Sequence, residues 1–209
     1  ASKTPLVDPE SEQPDNRFND GKCDPQGRFW AGTMSMVRQR GVASLYVLQT
    51  DHTVRKVLGE VSTSNGLDWS PDQTRMYYID TPTMKVRAFD FDGLAGTIAN
   101  ERELIRFPDG VGRPDGMTAD AEGMLWIAHW DGGRVSRWNP DTGELLETVP
   151  LPVDRGTSCA FGGADLDTLF ITTARHGLAQ GALNEQPHAG SLFAVRPGVE
   201  GRSANHYAG

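Results

Sequence analysis

Short runs of alternating apolar and polar residues, each closed by a turn signal, recur along the whole chain, and no long segment keeps a helical 3.6-residue period. Pro114-Asp115-Gly116-Met117 opens one such run. Asp120-Ala121-Glu122-Gly123 then turns the chain back into the apolar Leu125-Trp126-Ile127-Ala128. The pattern is that of a β-hairpin with an acid at its mouth.

The same design stands twice upstream. One unit reads Asn19-Asp20-Gly21-Lys22-Cys23-Asp24-Pro25, then Arg28-Phe29-Trp30-Ala31-Gly32; a second reads Asn65-Gly66-Leu67-Asp68-Trp69-Ser70-Pro71-Asp72, then residues 75–80. A weaker fourth unit covers 158–163 and 168–172. From Gly21 through Gly66 and Gly116 to Cys159 the steps are about 45, 50 and 43 residues, the spacing of propeller blades. Later strand segments follow at 44–48 and 53–58, at 85–90 with 93–100 and 104–107, and at 134–138 with 144–149. Turn residues such as Asp51-His52 and Asn139-Pro140-Asp141-Thr142-Gly143 separate them. Four short strands per unit predict an all-β chain, a β-propeller with about four blades and part of a fifth, forming one domain over residues 1–209.

In a propeller the first strand of each blade lines the channel. The residue before the glycine of each repeat therefore points toward the axis, which brings Asn19 or Asp20, Asn65 and Asp115 together although they are distant in sequence. Amide and carboxylate oxygens suit a hard divalent cation.

Composition agrees with this reading. Hydrophobic content of 37% with 24 glycines and 13 prolines fits many short strands and turns. A formal charge of −8 argues against a phosphate-binding face and so against nucleic acid. The two cysteines, Cys23 and Cys159, are far apart and in no ligand spacing, so two reduced thiols are expected. No apolar run of about 18 residues predicts a membrane span, and Ala1-Ser2-Lys3-Thr4-Pro5 carries no leader pattern; a cytoplasmic protein is the expectation. His129 and His176 read as hydrogen-bonded structural histidines, Lys22 as structural, and the aromatics as core. No Ser-His-Asp set converges through the repeat.

Several motifs in order give the chain a resemblance to the regucalcin/gluconolactonase family: Arg17-Phe18-Asn19-Asp20-Gly21-Lys22, Gly32-Thr33-Met34, Ser64-Asn65-Gly66-Leu67-Asp68-Trp69-Ser70, Pro114-Asp115-Gly116-Met117, Gly132-Gly133-Arg134-Val135, Leu151-Pro152-Val153-Asp154 and the final Tyr207-Ala208-Gly209. The resemblance implies a six-bladed propeller binding one divalent cation, Ca²⁺ foremost with Zn²⁺, Mg²⁺ or Mn²⁺ open, and hydrolysing sugar lactones and related esters. It implies that Asn65 and Asp115 are metal ligands, that Asp115 is the general base, that Asn19 contacts substrate or bound water beside the metal, and that Arg17 holds substrate. The expected partner is thus a small sugar lactone, with no nucleic acid or membrane, and the oligomeric state is open. The alternative is a calcium-binding, regulatory propeller.

The chain departs from the family in two respects. The family's third ligand is a glutamate in the first blade, whereas this chain begins just before the Arg-Phe-Asn-Asp-Gly motif, so the N-terminal blades are expected to be absent from it. Glu10 and Glu12 lie in polar, proline-containing surroundings unlike a channel strand. Some relatives place an acid shortly after Gly-Thr-Met; here the residues are Ser35-Met36-Val37, and substrate preference is expected to differ.

Overall fold

A computed structural model describes residues 5–209. Each predicted unit becomes one antiparallel sheet whose strands pair in sequence order. The first sheet holds β1 (Asn16–Cys23), β2 (Phe29–Ser35), β3 (Ala43–Leu48) and β4 (Val54–Val61). The second holds β5 (Ser64–Trp69), β6 (Arg75–Asp80), β7 (Lys85–Asp92) and β8 (Thr97–Arg106). The third holds β9 (Arg113–Ala119), β10 (Leu125–Trp130), β11 (Arg134–Trp138) and β12 (Leu145–Pro150). The fourth has three strands, β13 (Gly156–Gly162), β14 (Thr168–Thr173) and β15 (Leu192–Val195). The arrangement is that of propeller blades.

The apolar core is divided among the interfaces between neighbouring sheets. Trp30, Leu45, Leu67 and Trp69 fill the first interface, Ile79, Met117, Ile127 and Trp138 the second, and Trp126, Val135, Leu169 and Ile171 the third. Trp30, Trp69 and Phe91 meet with centroids 5.8–6.0 Å apart at steep angles, the edge-on geometry that aromatic quadrupoles favour. Burying one such side chain contributes about 1.5–3 kcal/mol. Each sheet therefore depends on its neighbour for its apolar face.

Three details differ from the sequence reading. Parts of 93–100 and 104–107, read as two segments, belong to the single strand β8, which runs unbroken from Thr97 to Arg106. The third strand of the fourth sheet, β15, was not anticipated, because a stretch containing the six-residue helix α1 (Gln180–Glu185) separates it from β14. In place of part of a fifth blade, the last residues run back across the strand ends remote from Asp115. Ala121 N donates to Glu200 O, Arg202 Nη1 to Trp69 O at 2.8 Å, Asn205 Nδ2 to Cys23 O and Ala208 N to Gly27 O. This strap ties sheets three, two and one together.

Candidate functional site

All four innermost strands carry a β-bulge at one register. Phe18 pairs with Thr33 and Gly21 with Ala31, leaving Asn19 and Asp20 to share a single opposing residue. The break recurs between Ser64 and Leu67, around Asn65-Gly66; between Pro114 and Met117, around Asp115-Gly116; and at Thr157, between Gly156 and Ser158. A bulge re-aims the side chain it carries, which is why such irregularities accompany functional sites. Asn19, Asn65, Asp115 and Thr157 therefore occupy equivalent places.

This register corrects the repeat as counted from the glycines. Asp20, not Gly21, is the counterpart of Gly66 and Gly116, and Ser158, not Cys159, continues the series. Of the two candidates in the first unit, Asn19 is the one that matches Asn65 and Asp115. Gly66 must be small because a Cβ there would come within 2.7 Å of Asp115 O and of Met117 Cβ.

Hydrogen bonds stitch the bulges together across the sheet boundaries. Asn19 Nδ2 donates to Ser64 O at 2.8 Å. Asn65 Nδ2 donates to Thr81 Oγ1 at 3.0 Å, and Thr81 Oγ1 donates to Pro114 O at 2.8 Å. Arg17 Nη1 donates to Asn19 Oδ1 at 3.1 Å and to Phe18 O at 2.8 Å. Three positions on, Lys22 Nζ bonds Asp68 Oδ2 at 2.8 Å and Met117 O at 3.0 Å, joining sheets one, two and three, in keeping with a structural role.

Burial raises the Asp115 carboxyl to about 7; the Asp20 carboxylate pushes the same way, against the Asn65 carboxamide, the Gly116 N–H and the Arg113 charge. Asp20 is raised too, chiefly by burial, opposed by the Gly21 N–H and the Lys22 ammonium. Among the described residues no three His, Cys, Asp or Glu side chains gather as a metal cluster. What the bulges bring together instead is the Asp115 carboxyl, the Asp20 carboxylate near enough to raise it, and the Asn65 carboxamide, whose N–H groups engage Thr81 and Asp115 and whose oxygen accepts no hydrogen bond from a described residue. Amide and carboxylate oxygens with buried negative charge fit a hard divalent cation, with water completing its shell.

The remaining candidates fall outside this set. Glu10 is engaged by Asn16 Nδ2, Thr33 Oγ1 and Tyr46 OH, and Glu12 is exposed. His129 donates from Nδ1 to Val111 O at 2.8 Å, so its Nε2 accepts from Ser136 Oγ at 2.6 Å; with no carboxylate on Nδ1 and Ser136 buried, the pair is structural. His176, next to α1, offers its carbonyl oxygen to Arg155. Cys23 and Cys159 are free thiols. A cavity of about 340 Å³ lies on the outer face of the first sheet, walled by Leu6, Val7, Phe18, Tyr46 and Leu48, with Asn19 and Asp20 at its polar end. Its apolar walls offer no further catalytic group.

Sequence reasoning missed Thr81, Thr157 and two arginines, Arg113 and Arg155. Thr81 sits on a short 3₁₀ turn (Thr81–Thr83) and carries no local signal. The others were readable: Arg17-Phe18-Asn19, Arg113-Pro114-Asp115 and Arg155-Gly156-Thr157 repeat one pattern, an arginine two residues before the bulge.

A family model described as SMP-30/Gluconolactonase/LRE-like region matches residues 1–175. Regucalcin of Oryctolagus cuniculus is 46% identical over 210 residues, covering 98% of this chain and 70% of the relative. Among solved structures, a luciferin-regenerating enzyme is 37% identical with a TM-score of 0.90, over 96% of this chain and 68% of that one. A calcium-binding protein, regucalcin, from Agrobacterium tumefaciens is 32% identical with a TM-score of 0.91, over 97% and 68%.

Proposed function

The chain belongs to the SMP-30/gluconolactonase/LRE-like family, and from that premise we propose that it is a divalent-metal-dependent hydrolase of sugar lactones. The observation that carries the reading is Asp115, a partly buried carboxyl on the third of a row of bulges whose first two carry the amides Asn19 and Asn65. A carboxylate in that place can both hold a cation and take a proton from water.

Asn65 and Asp115 would hold the cation, with Ca²⁺ best suited to an amide-rich oxygen set. When bound, it supplies Lewis acidity at the lactone carbonyl. Asp115 accepts a proton from the attacking water as the water oxygen bonds to the carbonyl carbon. When the ring C–O bond breaks, Asp115 returns that proton to the departing alkoxide, so the enzyme ends as it began. Beyond its bonds to Phe18 O and Asn19 Oδ1, Arg17 has guanidinium N–H groups that no other described residue engages, and these orient sugar hydroxyls. The Asn19 carboxamide, fixed by Ser64 O and Arg17, forms a rigid wall beside the carbonyl.

The test is hydrolysis of glucono-δ-lactone followed by proton release. Turnover abolished by chelator, restored by Ca²⁺, and reduced at least about 10²-fold by Asp115→Asn supports the reading. A second reading, a calcium-binding regulatory propeller, is favoured by the calcium-binding relative from Agrobacterium tumefaciens. Tight Ca²⁺ binding with no turnover of any lactone would establish that reading in place of the first.

A further inference from the structure

The mouth of the site carries a pattern that lactone hydrolysis alone does not require. Two residues ahead of each bulge stand Arg17, Thr63, Arg113 and Arg155, one per sheet. Arg17 lies opposite Met34 and Arg113 opposite Trp130. Thr63 O accepts from Thr81 N, and Arg155 O from Ala174 N. Three of four equivalent positions on one rim thus carry a guanidinium, in a chain whose formal charge is −8.

The rim is only partly neutralised. Arg113 and Arg155 share one acid: Asp131 Oδ2 accepts from Arg113, and Asp131 Oδ1 accepts from Arg155 Nε at 2.7 Å. Arg155 lies 4.8 Å over the Trp130 ring and donates to His176 O, which fixes its plane. The next acid, Asp154, is occupied by Gln186 Nε2 at 2.6 Å. Among the described residues Arg17 bonds only neutral oxygens, Phe18 O and Asn19 Oδ1. Two guanidinium groups thus share the single acid Asp131, Arg17 adds a third at the equivalent position of the first sheet, and Arg113 is close enough to Asp115 to act on its carboxyl. Arg113 is half exposed, so much of its N–H edge faces solvent. A planar guanidinium with free N–H groups binds carboxylate or phosphate in a two-pronged manner, and a ring of such charges at a channel mouth selects anions.

We propose that this arginine rim recognises an acid group on the substrate, so that the site takes anionic sugar lactones, with the anion held at Arg113 and the lactone carbonyl at Asp115. The inference rests on the lactonase reading of the same site and narrows its substrate class. Asp131 is the internal counter-charge that tunes the rim, and Trp130 is the platform that orients Arg155.

The experiment compares kcat/KM of the full chain for glucaro-1,4-lactone, which bears a carboxylate, and 6-phosphoglucono-δ-lactone, which bears a phosphate, with that for neutral glucono-δ-lactone. The acidic substrates are expected to be favoured about tenfold or more, with a preference that shrinks as salt is added. The larger ratio tells carboxylate from phosphate. Arg113→Gln should lower the ratio about tenfold, and Asp131→Asn should raise it; a merely structural ion pair would not give opposite signs. A ratio at or below one, or one insensitive to both substitutions, overturns the proposal. If no lactone is hydrolysed, the lactonase reading fails and calorimetry judges the rim alone: glucarate must bind more tightly than neutral glucitol and lose that advantage in Arg113→Gln, and equal or absent binding overturns the rim.

Discussion

Asn19 Nδ2 donates to the carbonyl oxygen of Ser64 at 2.8 Å, so the polar residue of the first bulge holds the strand that carries the second. Thr81 does the same between the second and third, accepting from Asn65 and donating to Pro114 O. The relay Asn19–Ser64 and Asn65–Thr81–Pro114 crosses both sheet boundaries at the level of Asp115. Apolar packing alone would leave these strands free to slide along one another by fractions of an ångström; directional bonds to backbone oxygens do not.

Thr81→Val removes the relay while keeping the side-chain shape. It leaves Pro114 O and the Asn65 amide without their partner, which costs about 1–3 kcal/mol. Urea unfolding should show that loss, and lactone turnover should fall, whereas Thr81→Ser keeps both. A Val variant as stable and active as the parent would show that the relay positions nothing.

Gly66→Ala drives a methyl group toward Asp115 O and Met117, each only 2.7 Å from the required Cβ position. Neither obstacle can move freely, since one is backbone and the other begins a buried side chain. We expect a loss of about 1–3 kcal/mol. Turnover should fall further than stability accounts for, because a displacement of about 1 Å at a reacting group costs about 10²-fold. Activity that merely tracks the folded fraction would contradict this.

The fold was legible because two local signals agreed: alternation marked the strands, and the recurring Asp-Gly and Asn-Gly pairs marked the repeat. The first unit shows where reading stopped. Asn19 and Asp20 are adjacent polar residues, and only the pairing of Phe18 with Thr33 and Gly21 with Ala31 decides which of them matches Asp115. A glycine count shifts that match by one residue, and in a strand one residue reverses the face. Thr81 was invisible because its role depends on two sheets meeting. β15 was invisible because a four-residue strand behind the α1 stretch has too few positions to show alternation.

Cation binding should be measurable as stability. Burial and the neighbouring Asp20 disfavour a charged Asp115 in the free protein, and a cation reverses that penalty. With Ca²⁺ at about 100 times its Kd, unfolding should cost about 2.7 kcal/mol more than in chelator. Asp115→Asn should lose most of that increment, and Glu12→Gln, at an exposed acid outside the bulged strands, should keep it. An equal increment in both variants would place the cation elsewhere.

Tyr77 tests the repeat from another side. Trp30 and Trp126 occupy the corresponding place in the flanking sheets and donate from Nε1 to Asp24 at 2.9 Å and to Asp120 at 3.0 Å. In the second sheet the acid is replaced by Ser70, which bonds Asp72 and Arg75, and the Tyr77 hydroxyl is buried without a partner among the described residues. Tyr77→Phe removes an unpaired polar atom at almost no cost in volume, so it should be neutral or stabilising by up to about 1 kcal/mol. A clear destabilisation in thermal unfolding would reveal a hidden partner.

His129 sets a pH limit on the third sheet. Burial among Phe107, Trp138 and Ser136 lowers its imidazole to about 4; the nearby Arg134 charge adds to that, and the Val111 carbonyl opposes it. The unfolded chain protonates the same ring near 6.5. Between these values the unfolded state binds the proton and the folded state does not. The stabilisation is therefore fully present above about pH 6.5 and is lost as the pH falls toward 4, by about 3 kcal/mol at the most. Carboxylates titrate in part of this window, so the measurement is the difference between the parent and His129→Gln, which keeps a donor and an acceptor but cannot ionise. Urea midpoints of the two proteins should converge as the pH drops from 7 to 4.5; parallel curves would mean that folding leaves the His129 pKa where it stands in the unfolded chain, and the parent gaining on the variant as the pH falls would mean that the ring is charged in the folded state.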